Sequence, residues 1–386
     1  MTGHIRKRGE RSWAILVDLP RGPDGKRRRK WHTVHGNKKD AQRKRNELLH
    51  EIETGAYVEP ARMTVKEYLT KWLSSRGSKI GAKTLERYQQ LADHHIIPCL
   101  GAIPLSKLRP LAIQEFYEDR LQNGRRKGAG GPSPQTVLHI HRVLRAALTQ
   151  AVRWQLLARN PVDAVEPPKV APKEMKTLDE PATVWLFTAA EGTRFYIPIV
   201  LESTLGIRRG EIFGLKWADL HLGAAMATIC RSLQQTRAGL KEKMPKNGKG
   251  RPITLPQFTV DALSDHRKAQ DELKALFGKD YQDHDLVCPL SDGRPWPPDD
   301  FSSAFGRFRK KCRLKIRFHD LRHSHATQLL GQGVNPKVVS ERLGHSSVQI
   351  TLDRYSHVMP NIQEEAAQKI DTALRQAIEK QRRPVS

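Results

Sequence analysis

The chain has 386 residues and carries 67 Lys and Arg against 41 Asp and Glu, a formal charge of +26 with a pI near 10.1. That length exceeds one small core and predicts two or three domains, while the charge calls for a polyanionic partner, either nucleic acid or an anionic membrane surface. No apolar run is long enough for a membrane span, and Met1 to Arg6 does not open like a secretory signal, so the expectation is a soluble, cytosolic protein.

Residues 1–60 read as a small sheet followed by one helix. Trp13, Ile15, Val17 and Leu19 alternate with smaller or polar residues, the period of a strand with one buried face. The cluster Pro20–Gly25 breaks it, Lys30–Val34 resumes as a second strand, and a third is read around Gly3–Arg8. Asn37 is placed to cap a helix whose apolar side holds Ala41, Leu48, Leu49 and Ile52. Arg6, Lys7, Arg8, Arg27, Arg28, Arg29 and Lys30 load the unit with positive charge. A solvated basic tail is the plain alternative. The regular alternation around Trp13 and Trp31 favours a folded module, and a β-ribbon fits a major groove.

Residues 61–165 read as an all-α domain. Thr64-Val65-Lys66-Glu67 has the form of a capping box, and Val65, Tyr68, Leu69, Trp72 and Leu73 follow at helical spacing. A second helix carries Leu85, Tyr88 and Leu91 and stops near Pro98; a third runs from about Leu111 through Ile113, Phe116, Tyr117 and Leu121. The Gly- and Arg-rich stretch Gly124–Pro132 is a basic loop, and a fourth helix holds Val137, Leu144, Leu148, Ala151 and Trp154. Residues 166–176 are too rich in proline to pack or form helix and read as a linker.

Residues 177–386 are mostly helical with one sheet insertion, in which Ala227–Ile229 and Ile253–Leu255 are short strands flanking a loop that presents Lys246. Ile362, Ala366, Ile370, Leu374 and Ile378 recur every four residues, an amphipathic helix that either folds back on its own core or docks on a neighbouring subunit. The expected fold class is mainly α with small β-sheets, α+β. Cys99, Cys230, Cys288 and Cys312 are too far apart for a disulfide framework or a zinc site and are read as reduced and structural.

The reactive side chains concentrate between His319 and Tyr355. His319 and Arg322, three apart on a helix, share a face, while Leu321, Leu329 and Leu330 supply apolar contacts. Leu343-Gly344-His345 follows, and then Tyr355. Imidazole, guanidinium and a phenol without a carboxylate pair suit phosphoryl transfer to tyrosine, because a phosphodiester gains negative charge that Arg and His can meet. His319 and His323 are spaced like a metalloprotease zinc pair, but Asp320 stands where the general-base Glu is needed. Neither a phosphate-cradling loop nor a carboxylate metal cluster is found, so no metal, ATP or other cofactor is expected.

His319-Asp320-Leu321-Arg322, Leu343-Gly344-His345 and Thr351-Leu352-Asp353-Arg354-Tyr355 together resemble the tyrosine recombinase (phage integrase) family. The family's earlier Gly-x-Arg-x-Gly-Glu motif is matched by Gly206-Ile207-Arg208-Arg209-Gly210-Glu211, and its hairpin lysine by Lys246, with Lys249 the alternative. The resemblance implies a site-specific recombinase, an integrase of a phage or mobile element, that works through a 3′-phosphotyrosine at Tyr355. It further implies that Arg208 and Arg322 grip the phosphate and that His319 and His345 bond its nonbridging oxygens. His319 would also take the phenol proton, Lys246 would protonate the leaving 5′-oxygen, and Glu211 would hold Arg208 or nearby backbone.

By the same resemblance, residues 1–60 bind arm sites on double-stranded DNA, using residues such as Arg6, Arg8 and Arg27–Arg29. Residues 61–165 grip the crossover site, with Lys83, Arg87, Arg125, Arg126, Arg142 and Arg145 as candidate contacts. The working assembly is a homotetramer with the tail helix docked in trans, helped by a DNA-bending protein and an excisionase, and no membrane is involved. Two other readings of the chemistry are a type IB topoisomerase and a DNA-binding regulator with an inactive catalytic domain.

Overall fold

The alternating N-terminal stretch folds into an antiparallel sheet of β1 (Gly3–Gly9), β2 (Ser12–Leu19) and β3 (Arg28–His35), in that order. The structure is a computed structural model and describes residues 3–19, 25–54, 63–123, 130–171, 175–244, 250–356 and 362–382. Its chain divides into two units, Met1–Pro172 and Lys173–Ser386.

In the first unit, Ile15, Val17 and Leu19 of β2 pack on Leu48 and Ile52 of α1 (Lys38–Glu53). That helix starts where Asn37 and Asp40 cap each other reciprocally, each bond 3.0 Å. Neither tryptophan is core: Trp13 is half-buried with its indole donating to the Gly36 carbonyl, and Trp31 is exposed. Arg6, Arg8, Arg27, Arg28 and Arg29 all lie on the surface, where Arg27 and Arg29 converge on Asp18 at 2.9 and 3.2 Å.

The helical part of this unit comprises α2 (Val65–Arg76), α3 (Ala82–Leu91), α4 (Ile97–Leu100), α5 (Pro110–Gln122) and α6 (Pro134–Arg153). Tyr68, Trp72, Tyr117 and Leu144 are fully buried at its centre. The helix carrying Leu85, Tyr88 and Leu91 ends at Leu100, two residues past Pro98, close to the expected stop. One π-helical turn, Ala92–Ile96, carries α3 directly into α4, and Pro98 falls in the first turn of α4, where its missing N–H costs least. Trp154, expected on the apolar face of α6, instead caps that helix and is exposed.

The second unit contains α7 (Glu180–Ala190), α8 (Tyr196–Leu205), α9 (Arg209–Gly214), α10 (Gln257–Phe277), α11 (Pro298–Lys311), α12 (Asp320–Gly331), α13 (Pro336–Leu343), α14 (Val348–Tyr355) and α15 (Ile362–Arg382). Between α9 and α10 lie a sheet ordered β4 (Leu220–His221), β5 (Met226–Ile229), β8 (Arg251–Thr254) and a hairpin of β6 (Ser232–Thr236) with β7 (Gly239–Lys243). Both short strands read from sequence are present; the β6–β7 hairpin, too polar to stand out, is additional. An aromatic cluster of Phe213, Trp296, Phe301, Phe305 and Phe318 fills the main core. A smaller core joins Ala326 and Leu330 of α12 to Val339, Leu343 and Tyr355, tying α13 and α14 to the helix that carries Arg322. Mainly α with small sheets is therefore the observed class.

Candidate active site

Two left-handed glycines set the backbone of the site. Gly206 ends α8 at φ +63° and Gly344 ends α13 at φ +65°, a conformation that carries little penalty only without a side chain. A Cβ would also lie 2.6 Å from His325 and Leu343 at Gly206, and 2.8 Å from the Arg251 guanidinium at Gly344. The carbonyls at these helix ends, left without intrahelical donors, receive the two arginines. Arg322 donates to Gly206 O and, at 2.7 Å, to Leu343 O; Arg208 donates through Nη2 to Gly344 O at 2.8 Å.

Glu211 organises the positive charge. It accepts the Arg208 backbone N–H at 2.9 Å and Nη1 at 3.0 Å, and both Nη atoms of Arg251 at 3.0 and 2.6 Å. Burial alone would raise its carboxyl, but the Arg251 hydrogen bonds and charge, aided by Arg208, outweigh that and hold it below the ordinary glutamate range. Arg322 is buried, and desolvation together with Arg208 brings its pKa down to about 10, so it remains a cation at neutral pH. Arg208 keeps 43% of its side chain exposed and lines the cavity of the site.

Three histidines and the tyrosine complete the lining. The Tyr355 hydroxyl, at the end of α14, lies 2.6 Å from Nδ1 of His323, and both side chains are buried. His345 meets Thr351 Oγ1 at 2.8 Å through Nδ1. His319 precedes α12, stacks edge-on against His323 with ring centroids 5.1 Å apart, and is half exposed. Burial, reinforced by neighbouring cations, lowers the pKa of His323 and brings His319 and His345 down to about 4. Burial likewise raises the Tyr355 phenol, with Arg322 and Arg354 pulling the other way. The resting site thus pairs a neutral phenol with a neutral imidazole that can receive its proton.

Arg208, His319, Arg322, His345 and Tyr355 line one cavity of about 380 Å³ together with His323, Ser346, Ile350 and Arg354. Lys246 and Lys249 lie outside the described residues, as do Arg125, Arg126 and His357. The roles of His323 and Arg251 escape a reading of the sequence, and Thr351 is singled out there only as part of the motif that ends in Tyr355. His323 stands in plain view beside Arg322, but its spacing from His319 suggests only a metal ligand, while Arg251 carries no signal until its contacts are known and the bond from Thr351 to His345 is seen only in the structure. Of the other basic candidates, Lys83 and Arg87 are exposed on α3. Arg142 and Arg145 share a cleft with Arg76 and Arg153, and Arg145 pairs with Asp163 at 2.8 Å.

A tyrosine facing a cationic cavity on a helical frame is what an enzyme that breaks phosphodiesters with a phenol nucleophile requires, and comparison with known proteins puts the chain in that class. The model of the phage integrase family matches residues 172–361, and that of the N-terminal SAM-like domain of phage integrases matches residues 64–120. The chain belongs to the phage integrase family of tyrosine recombinases and is a site-specific recombinase.

It is 26% identical to an integrase of Saccharopolyspora erythraea across 93% of this chain and 94% of that protein. It is also 26% identical to a XerC-like tyrosine recombinase of Caldanaerobacter subterraneus subsp. tengcongensis, across 95% and 97% of the two chains. Among solved structures, the Tn1549 transposon integrase in complex with transposon right end DNA superposes at a TM-score of 0.66 with 22% identity, covering 81% of this chain and all of that one. A lambda integrase dimer bound to a core site gives 0.57 with 17% identity, covering 91% and 93%. These structural likenesses establish the fold.

Proposed function

We propose that the protein cleaves double-stranded DNA at a crossover site by attack of the Tyr355 oxygen on phosphorus. A Tyr–O–P bond forms at the 3′ end, the P–O5′ bond breaks, and the phenol proton passes to His323. The 5′-oxygen leaves with a proton from Lys246, a role that rests on the sequence position of that lysine. Arg208 and Arg322 fork onto the nonbridging oxygens, each with a geometry that lysine lacks, and His345 and His319 add hydrogen bonds. The protein linkage conserves the ester, so rejoining to another strand needs neither ATP nor metal.

The observation that carries this reading is the single cavity shared by Arg208, His319, Arg322, His345 and Tyr355. Incubation with a nicked duplex spanning the recombination site tests it: the chain should become covalently joined to DNA, and Tyr355→Phe should abolish the adduct. An adduct that survives the substitution would place the nucleophile elsewhere.

The division of labour follows the sequence: residues 1–60 bind arm sites, residues 61–165 grip the crossover duplex, residues 166–176 link, and residues 177–386 catalyse. The arginine cleft of Arg76, Arg142, Arg145 and Arg153 supports a phosphate-tracking surface in the second of these. The proposed assembly is a homotetramer on DNA. Its support is α15, whose Ile370, Leu374 and Ile378 are 62%, 59% and 48% exposed and form an apolar stripe suited to a neighbouring subunit. A DNA-bending protein and an excisionase would control direction. Among the described residues no helix is long and apolar enough to cross a membrane, and the proposed place of action is the bacterial cytoplasm, on the nucleoid.

A further inference from the structure

We infer that Glu202 is a positioning residue for His319: its carboxylic acid, buried beneath the imidazole, fixes the tautomer that presents Nε2–H to the catalytic cavity. The inference rests on the reading of His319 as a group that touches the scissile phosphate.

Glu202 lies in α8, four residues before the glycine that receives Arg322, and its side chain is 0% exposed. Neither carboxyl oxygen has a hydrogen-bond partner. A buried polar group left unpaired is costly, so its retention calls for a use. His319 supplies one. Its Nδ1 stands 3.5 Å from Glu202 Oε1 while half of its side chain is open to the cavity. The separation is just beyond a hydrogen bond, and catalytic contacts of this kind commonly tighten when substrate arrives.

The direction of the bond follows from the charges around the pair. Glu202 is faced by Arg322 and Asp320 of α12 and by Arg209 and Glu211 of α9, two cations against two anions, so burial decides and raises its pKa well above the ordinary range. The group is a neutral acid with one O–H to give. His319 is also neutral at pH 7. A neutral acid donating to Nδ1 leaves the remaining proton on Nε2, the far side of the ring. His319 then acts as a hydrogen-bond donor to a phosphate oxygen, which agrees with the phenol being held by His323 instead.

The test uses the full-length chain with Glu202→Gln, Glu202→Met and His319→Ala, alone and combined. Glutamine can still donate to Nδ1 and methionine cannot, while both replace a buried carboxyl by a side chain of similar length that a folded interior tolerates. Glu202→Met is expected to slow cleavage of a nicked recombination-site duplex by about tenfold or more, the usual loss when an orienting partner is removed. Glu202→Gln should restore most of the rate, and Glu202→Met should cost nothing further once His319 is alanine. Nitrogen NMR of labelled histidine should show His319 protonated at Nε2 in the native chain and in Glu202→Gln, and a tautomer mixture in Glu202→Met. A slow His319→Ala alongside a fast Glu202→Met with unchanged tautomer overturns the role of Glu202. A fast His319→Ala overturns the reading of His319 itself. Equal slowing by Gln and Met also counts against tautomer control.

Discussion

The Tyr355 hydroxyl is 2.6 Å from Nδ1 of His323, the residue immediately after Arg322, and it is His323 rather than His319 that touches the phenol. A neutral imidazole against a buried phenol is the arrangement in which a proton can leave as the oxygen attacks. General-base help of this kind is worth roughly 10²–10⁴-fold, so His323→Ala should slow adduct formation on a nicked duplex by at least about a hundredfold at neutral pH. Raising the pH toward the phenol pKa should recover part of the loss, because hydroxide then does the work of the base. Single-turnover rates between pH 6 and pH 10 give the comparison; wild-type rates in the variant would take His323 out of the chemistry.

Arg322 has two jobs that substitution will not separate cleanly. In the proposed mechanism it is a transition-state donor, and in the structure it bridges the carbonyls of Gly206 and Leu343 from a buried position, which joins the end of α8 to the end of α13. Lysine keeps the charge but cannot fork. Arg322→Lys should therefore lower the cleavage rate by on the order of 10²–10³-fold, as when an oxyanion donor is lost. It should also lower the melting temperature, since one buried carbonyl is left unpaired. Arg208→Lys, whose parent side chain is far more exposed, should reproduce the rate effect with a smaller thermal one.

Much of this was legible in the sequence, for identifiable reasons. Arg322 stands out because it shares a helix face with His319, and Arg208 and Tyr355 because they fall in motifs of the family the chain resembles. The α1 and α2 starts were legible because Asn37 and Thr64 carry capping side chains. The helix end near Pro98 was legible because proline tolerates only the first helical turn, whereas the π turn Ala92–Ile96 before it carries no sequence signal. Glu202 and Arg251 were invisible because each acquires meaning only through a partner more than a hundred or about forty positions away, His319 for the first and Glu211 for the second.

Acid should destabilise the fold chiefly through buried His325, with smaller contributions from the more exposed His319 and His345. His325, 6% exposed, has its pKa brought down from 6.5 to about 3 by burial and by the charge of Arg342, and His319 and His345 fall to about 4. The unfolded chain binds more protons than the folded one throughout that interval, so the stability contributed by neutral burial is complete above about pH 6.5 and is lost as pH falls toward 4. Melting temperature measured from pH 7 down to pH 4.5 should decline accordingly. His325→Gln should flatten the slope. A pH-independent melting temperature over this range would contradict the assignment.

The arginine cleft on α2 and α6 makes a quantitative statement about DNA binding. Arg76, Arg142, Arg145 and Arg153 meet along one groove, and Arg145 is held there by a salt bridge to Asp163 at 2.8 Å. Each guanidinium that contacts a phosphate releases condensed counterion, so replacing it should lower the slope of log K against log salt by about one. Arg142→Ala and Arg153→Ala should each do this, weakening binding to specific and unrelated duplexes alike. Asp163→Ala should act in the opposite sense, freeing Arg145 and tightening binding at low salt. Fluorescence anisotropy over a salt series resolves the slopes, and variants whose slopes stay at the wild-type value would remove this groove from the DNA-binding surface.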